Sequence, residues 1–99
     1  MIKKYIKILD EFRAISGDGK LILFGSVLKG NSRFDSDIDI AIISNDRDFI
    51  SKVEEVADRI LFKYGKVVSL VRFSKEEFKE KKEPIIREIE KGLVFYEGS

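Results

Sequence analysis

The chain contains no cysteine, no histidine and no glutamine, and only one proline. Without cysteine there is no disulfide framework, no thiolate nucleophile and no Cys-type zinc site. Without histidine the commonest general base, the Ser-His-Asp triad and imidazole metal ligands are all excluded. A surplus of one charge is missing too: 19 basic residues face 18 acidic ones, for a net charge of +1. That balance argues against a polybasic nucleic-acid binder. No apolar run approaches the ~20 residues of a membrane span. The start, Met1-Ile2-Lys3-Lys4-Tyr5, lacks the apolar core of a signal peptide. The expectation is a soluble, cytoplasmic protein whose chemistry rests on carboxylates, hydroxyls, Lys, Arg, backbone amides or a hard metal held by oxygen.

What is present fits one domain over residues 1–99. The hydrophobic fraction is 43% and includes fourteen Ile, too many for a disordered chain. Residues 2–15 place Ile2, Tyr5, Ile6, Leu9, Phe12 and Ile15 near helical spacing, which predicts a first amphipathic helix ended by Ser16-Gly17-Asp18-Gly19. Leu21 to Phe24 reads as a buried strand, Val27 to Gly30 as one helical turn and Asn31 to Ser36 as polar loop. Asp37 to Ile43 is a second, central strand. Ser44-Asn45-Asp46 offers cap chemistry for a helix over about 47–62, closed by Tyr64-Gly65. Val67 to Phe73 is a third strand, and Ser74-Lys75-Glu76-Glu77 is a capping box. Pro84 fits the first turn of a last helix through Glu90, and Leu93 to Tyr96 a closing strand. The alternation indicates an α/β (α+β) domain, a small mixed sheet with helices packed on it.

Two features carry chemistry. At Phe24-Gly25-Ser26 a buried strand runs into a turn, where a glycine lets backbone approach a ligand and free amides point at anions. Alone, this also fits an ordinary strand-to-helix turn. In Asp37-Ile38-Asp39, residues two apart on a strand project from the same face, so both carboxylates point one way while Ile38 and Ile40 point the other. Two like charges beside a core are costly unless something neutralises them. Mg²⁺ does so, taking one or two carboxylates and completing its shell with waters and phosphates. Alone, the pair also fits a solvated strand end.

Ten residues separate Gly25-Ser26 from Asp37-x-Asp39. This resembles the GSx10DxD signature of the DNA polymerase beta-like nucleotidyltransferases, specifically the minimal nucleotidyltransferase family. Phe24-Gly25-Ser26-Val27-Leu28-Lys29-Gly30, Ser36-Asp37-Ile38-Asp39-Ile40-Ala41 and the ending from Ile86 to Tyr96 all match its pattern. The resemblance implies that Gly25 and Ser26 grip the phosphates of ATP or another nucleoside triphosphate. It implies that Asp37 and Asp39 hold Mg²⁺ and are the catalytic pair, with Lys29 and Ser36 beside the nucleotide. Lys29 and Arg33 could add positive charge near the phosphates, or both be ordinary solvated loop cations. Small members resemble antitoxins paired with a helical HEPN-type RNase toxin, and some adenylylate a tyrosine on it. Such a partner is what the resemblance suggests here; oligomeric state stays open.

One position departs from the pattern. The family's third carboxylate lies on a later strand, and the matching stretch Lys66-Val67-Val68-Ser69-Leu70-Val71 has Ser69 in its place. No Asp or Glu lies between Asp58 and Glu76, so slipping the alignment recovers none. A neutral hydroxyl is a weak ligand and a poor base. Two functions are therefore expected to compete: transfer of a nucleoside monophosphate, AMP from ATP, to a hydroxyl acceptor, or a weakened binding module that holds nucleotide or a partner without transfer.

Overall fold

The computed structural model describes residues 5–25 and 37–98. Readings that fall on 1–4, on 26–36 (Ser26, Lys29, Arg33 and Ser36 among them) and on Ser99 lie outside the described residues. The two most apolar runs form the middle of a four-stranded sheet: β1 (Gly19–Phe24) pairs antiparallel with β2 (Ile38–Ile43). β3 (Val68–Phe73) runs parallel to β2, and β4 (Leu93–Gly98) runs antiparallel to β1 with a bulge at Leu21/Ile22. The order is β3-β2-β1-β4. A strand flanked on both sides and covered on both faces needs apolar residues at nearly every position. That is why Ile38 and Ile40 to Ile43 are all buried.

Helices cover the two faces separately. On one face lie α1 (Ile6–Asp10), continued as a 3₁₀ turn over Glu11–Ala14, and α2 (Arg47–Tyr64). There Leu21, Leu23, Ile38, Ile40 and Ile42 meet Phe12, Phe49, Val53 and Ile60. On the other lie α3 (Lys75–Glu80) and α4 (Pro84–Glu90), where Ile22, Phe24, Ala41 and Ile43 meet Ile89, with Ile85, Phe78, Val71 and Phe73 around them. The expected α+β sheet and the central place of the second strand are thus both observed.

The caps are those the sequence offers. Asp46 accepts from the amides of Asp48 (3.0 Å) and Phe49 (3.3 Å), and Gly65 closes α2 at φ 67°. Ser74 and Glu77 form the reciprocal capping box of α3. The first helix is a correction: it tightens at Glu11, and Ile15 is already extended at ψ 157°. The tighter winding accompanies the burial of Phe12, whose ring meets that of Phe95 edge-on at 5.7 Å. Gly19 belongs to β1, paired with Gly98 on β4, rather than to the preceding turn, and a side chain there would strike the ring of Phe49. Among the described residues no helix is long and apolar enough to cross a membrane.

Candidate active site

The alternation of β2 sorts its residues as the sequence requires. Ile38, Ile40 and Ile42 enter the α1/α2 core, while Ala41 and Ile43 face α3 and α4, and Asp39 precedes them on that second face. Asp39 is half-buried and Asp37, just before the strand, is exposed. Across the ladder Asp39 pairs with Phe24 on β1, so the residue after Phe24 arrives beside the carboxylate.

That residue is Gly25, at φ 81°. A methyl group on it would lie 3.2 Å from the Asp39 Cγ and closer still to Oδ2. Backbone and carboxylate therefore occupy adjoining space that only glycine leaves open, and the left-handed φ is itself a conformation that glycine adopts without strain. The structure thus brings together Gly25, Asp37 and Asp39 of the expected site. Ser26, Lys29 and Ser36 lie outside the described residues.

The electrostatics are unbalanced. Burial pushes the Asp39 carboxyl above its ordinary range, and the charges of Asp37 and Glu88 push it the same way. Among the described residues, Asp37 and Asp39 have no hydrogen-bond or salt-bridge partner. An ionised pair in this state lowers its energy by meeting a cation, and hard carboxylate oxygens suit Mg²⁺. The donor set, two carboxylates beside a glycine turn packed directly against one of them, therefore fits a hard divalent ion. No three acidic side chains gather closely enough to hold a metal among the described residues.

Position 69 explains that shortfall. Ser69 stands in register with Asp39 on the neighbouring strand, so an acid there would project beside Asp39 from the same face. The alignment that placed Ser69 opposite the pair is the one the sheet adopts. The charge of Glu88 on α4, which the sequence pattern does not connect to the pair, also acts on Asp39. A separate cavity of about 580 Å³ opens at the other end of the sheet, lined by Asp18, Lys20, Ile43, Lys75, Phe78 and Lys79. It shares no residue with the carboxylate pair.

Comparison with known proteins places this geometry. Residues 3–96 match the family described as "Nucleotidyltransferase domain". A protein of Methanocaldococcus jannaschii named "Putative protein adenylyltransferase" is 42% identical over 62 residues. The match takes in 63% of this chain and 60% of that protein, so it spans less than two thirds of the relative's length. A small mixed sheet with helices on both faces is the polymerase beta-like arrangement that the motif implied. With the family match running through nearly all of its sheet and helices, the chain belongs to the nucleotidyltransferase domain family, of the minimal kind that its glycine-serine and paired-aspartate string resembles.

Proposed function

We propose that this chain is a Mg²⁺-dependent nucleotidyltransferase that moves AMP from ATP to a hydroxyl of a partner macromolecule. The observation that carries this reading is the adjoining placement of Gly25 and the Asp39 carboxylate. It sets a glycine turn directly against an anion that has no counter-charge among the described residues. The adenylyl group is favoured by the name of the Methanocaldococcus relative. A helical HEPN-type protein is the partner the family resemblance suggests.

In this reading Asp37 and Asp39 hold the ion, Gly25 lets the backbone pass close against Asp39, and Ser26 contributes amide and hydroxyl to the phosphates. The ion, when bound, offsets the negative charge that builds on the triphosphate. The protein's part is positioning. Asp39 stands on a strand paired on both sides, so its backbone is fixed before the nucleotide arrives.

A second reading has its own support. Ser69, neutral and in register with Asp39, removes an acid from the acceptor side. The chain would then bind Mg-nucleotide without transferring it. Incubation with α-labelled ATP and Mg²⁺, with and without a helical HEPN-type partner, separates the two. Label on the partner that disappears in Asp39→Asn supports transfer. Mg-dependent nucleotide binding with no label on any protein supports the silent module, and absence of nucleotide binding refutes both.

A further inference from the structure

We propose that the cavity at the far end of the sheet is a second ligand site, which takes a small organic anion with a flat apolar body. It shares no residue with the carboxylate pair, so it does not depend on nucleotidyl transfer.

The cavity follows from what the two central strands carry on the face covered by α3 and α4. Residues two apart share a face. β1 therefore presents Lys20, Ile22 and Phe24 there, and β2 presents Asp39, Ala41 and Ile43. The antiparallel register sets Lys20 beside Ile43 on one side and beside Glu97 of β4 on the other. A charge thus ends the apolar stretch at each pole, an acid near Gly25 and a lysine here. Lys20 is the one residue of β1 that is not buried. A cation on the helix-covered face of a strand paired on both sides is a costly placement unless an anion meets it.

Opposite this row α3 presents Lys75, Phe78 and Lys79, whose spacing of three and four places them on one side of the helix. The space enclosed is about 580 Å³, inside the roughly 300–1,000 Å³ range of small-molecule sites. Its apolar walls are Ile43, which is buried, and Phe78, which is half-buried and packed on the cluster of Ile22 and Phe24. The helix wall is fixed in place. Lys75 Nζ donates to both Asp18 carboxylate oxygens at 2.8 Å, and the Lys75 amide donates to Asn45 Oδ1 at 3.0 Å. The capping box of Ser74 and Glu77 holds the same turn. A hollow built in advance loses little entropy when a ligand enters.

Charge decides what fits. Three ammonium groups line the cavity against two carboxylates, Asp18 and Glu97. Asp18 neutralises Lys75. Lys20 meets Glu97 only at 3.6 Å, and that acid's side chain is 68% exposed, so solvent weakens the pair. Lys79 has no partner among the described residues. Two cations beside an apolar wall therefore await an anion whose body covers Ile43 and Phe78. Ammonium groups act as point charges and take phosphate or carboxylate alike. The Phe78 ring favours a flat body.

The test uses the whole chain without nucleotide or metal ion. It is titrated with naphthyl phosphate, naphthoate, the neutral naphthalenemethanol and inorganic phosphate, read by calorimetry and by amide shifts in a proton–nitrogen correlation spectrum. At least one naphthyl anion should bind with a Kd of about 1 mM or tighter, and the tighter of the two identifies the headgroup. It should shift the amides of Lys20, Ile43 and Phe78 and leave those of Gly25 and Asp39 in place. The neutral alcohol and inorganic phosphate should each bind at least about tenfold more weakly. Lys79→Gln combined with Lys20→Gln should weaken the anion by at least about tenfold, with the fold checked by urea denaturation. Phe78→Leu keeps the wall apolar but removes the ring, and should weaken it by about threefold. Lys52→Gln, on the helix of the other face, should match wild type. Equal affinity for the neutral alcohol overturns the proposal, as does equal affinity for inorganic phosphate. So do shifts centred on Gly25 and Asp39, wild-type affinity in the double lysine variant, or no binding of either anion at ten times the expected Kd.

Discussion

The two ends of the sheet are built on opposite terms. Where β1 and β4 meet at Gly19 and Gly98, polar groups find partners. Ser44 donates to the Asp18 carbonyl and accepts from the Asp46 amide, Tyr96 donates to the Gly17 carbonyl at 3.0 Å, and Lys75 grips Asp18 at 2.8 Å. Phe49 lies beneath, stacked on Tyr96 at 5.2 Å and set against Gly17 and Gly19. At the other end Asp37 and Asp39 repel one another, Asp39 is partly desolvated, and the turn at Gly25 holds a left-handed conformation. One end consolidates the fold, whereas the other carries a local cost of the kind that collects at functional sites.

The contrast can be broken most forcefully at its stable end. Phe49→Ala should cost about 3–5 kcal/mol of unfolding free energy, measured by urea denaturation. Nucleotide affinity, read well below the new midpoint, should hold. Next comes Gly25→Ala, expected to lose about 1–2 kcal/mol from the left-handed backbone. It should lose at least about tenfold in Mg-nucleotide affinity as well, because its methyl group displaces Asp39, a difference of roughly 1.4 kcal/mol. Calorimetric titration against the wild type checks the second effect separately from the first.

The smallest change should have the opposite sign. Asp39 binds its proton more tightly in the folded state than in the unfolded chain, where its value is near 3.8. Above the raised value its charge therefore opposes folding, and as pH falls through that value toward 3.8 the opposition is relieved. Asp39→Asn should consequently raise Tm at neutral pH, with the gain shrinking as acid protonates the wild type. A Tm difference that stays constant from neutral pH to below 3.8 would contradict this origin.

Most of the fold was legible because local chemistry and long-range packing agree. Pro84 opens and Glu90 closes the last helix at the expected residues, and Asp46, Gly65 and Ser74 cap as their side chains allow. Where distant residues decide, the sequence is silent. Nothing local says that Gly19 must lie under the ring of Phe49, or that the first helix must tighten at Glu11. The site divides in the same way. That Asp37 and Asp39 share a face follows from strand alternation, whereas the matching of Ser69 to them came from the family resemblance. The charge that Glu88 exerts on Asp39 comes from a helix that arrives more than forty residues later, a neighbourhood that no local pattern encodes.

The pairing of β2 on both sides has a mechanical consequence. The Ile38 amide bonds the Val67 carbonyl at 2.9 Å and the Ser44 amide bonds that of Phe73 at 3.0 Å, so the strand is anchored to β3 at both extremities as well as to β1 along its length. Amide protons of β2 should accordingly be among the slowest to exchange with deuterium. A carboxylate planted on so stiff a rail can swing about its own side-chain bonds but cannot drift with its backbone, so under the proposed function discrimination between cations of different radius would come from rotamer choice at Asp39.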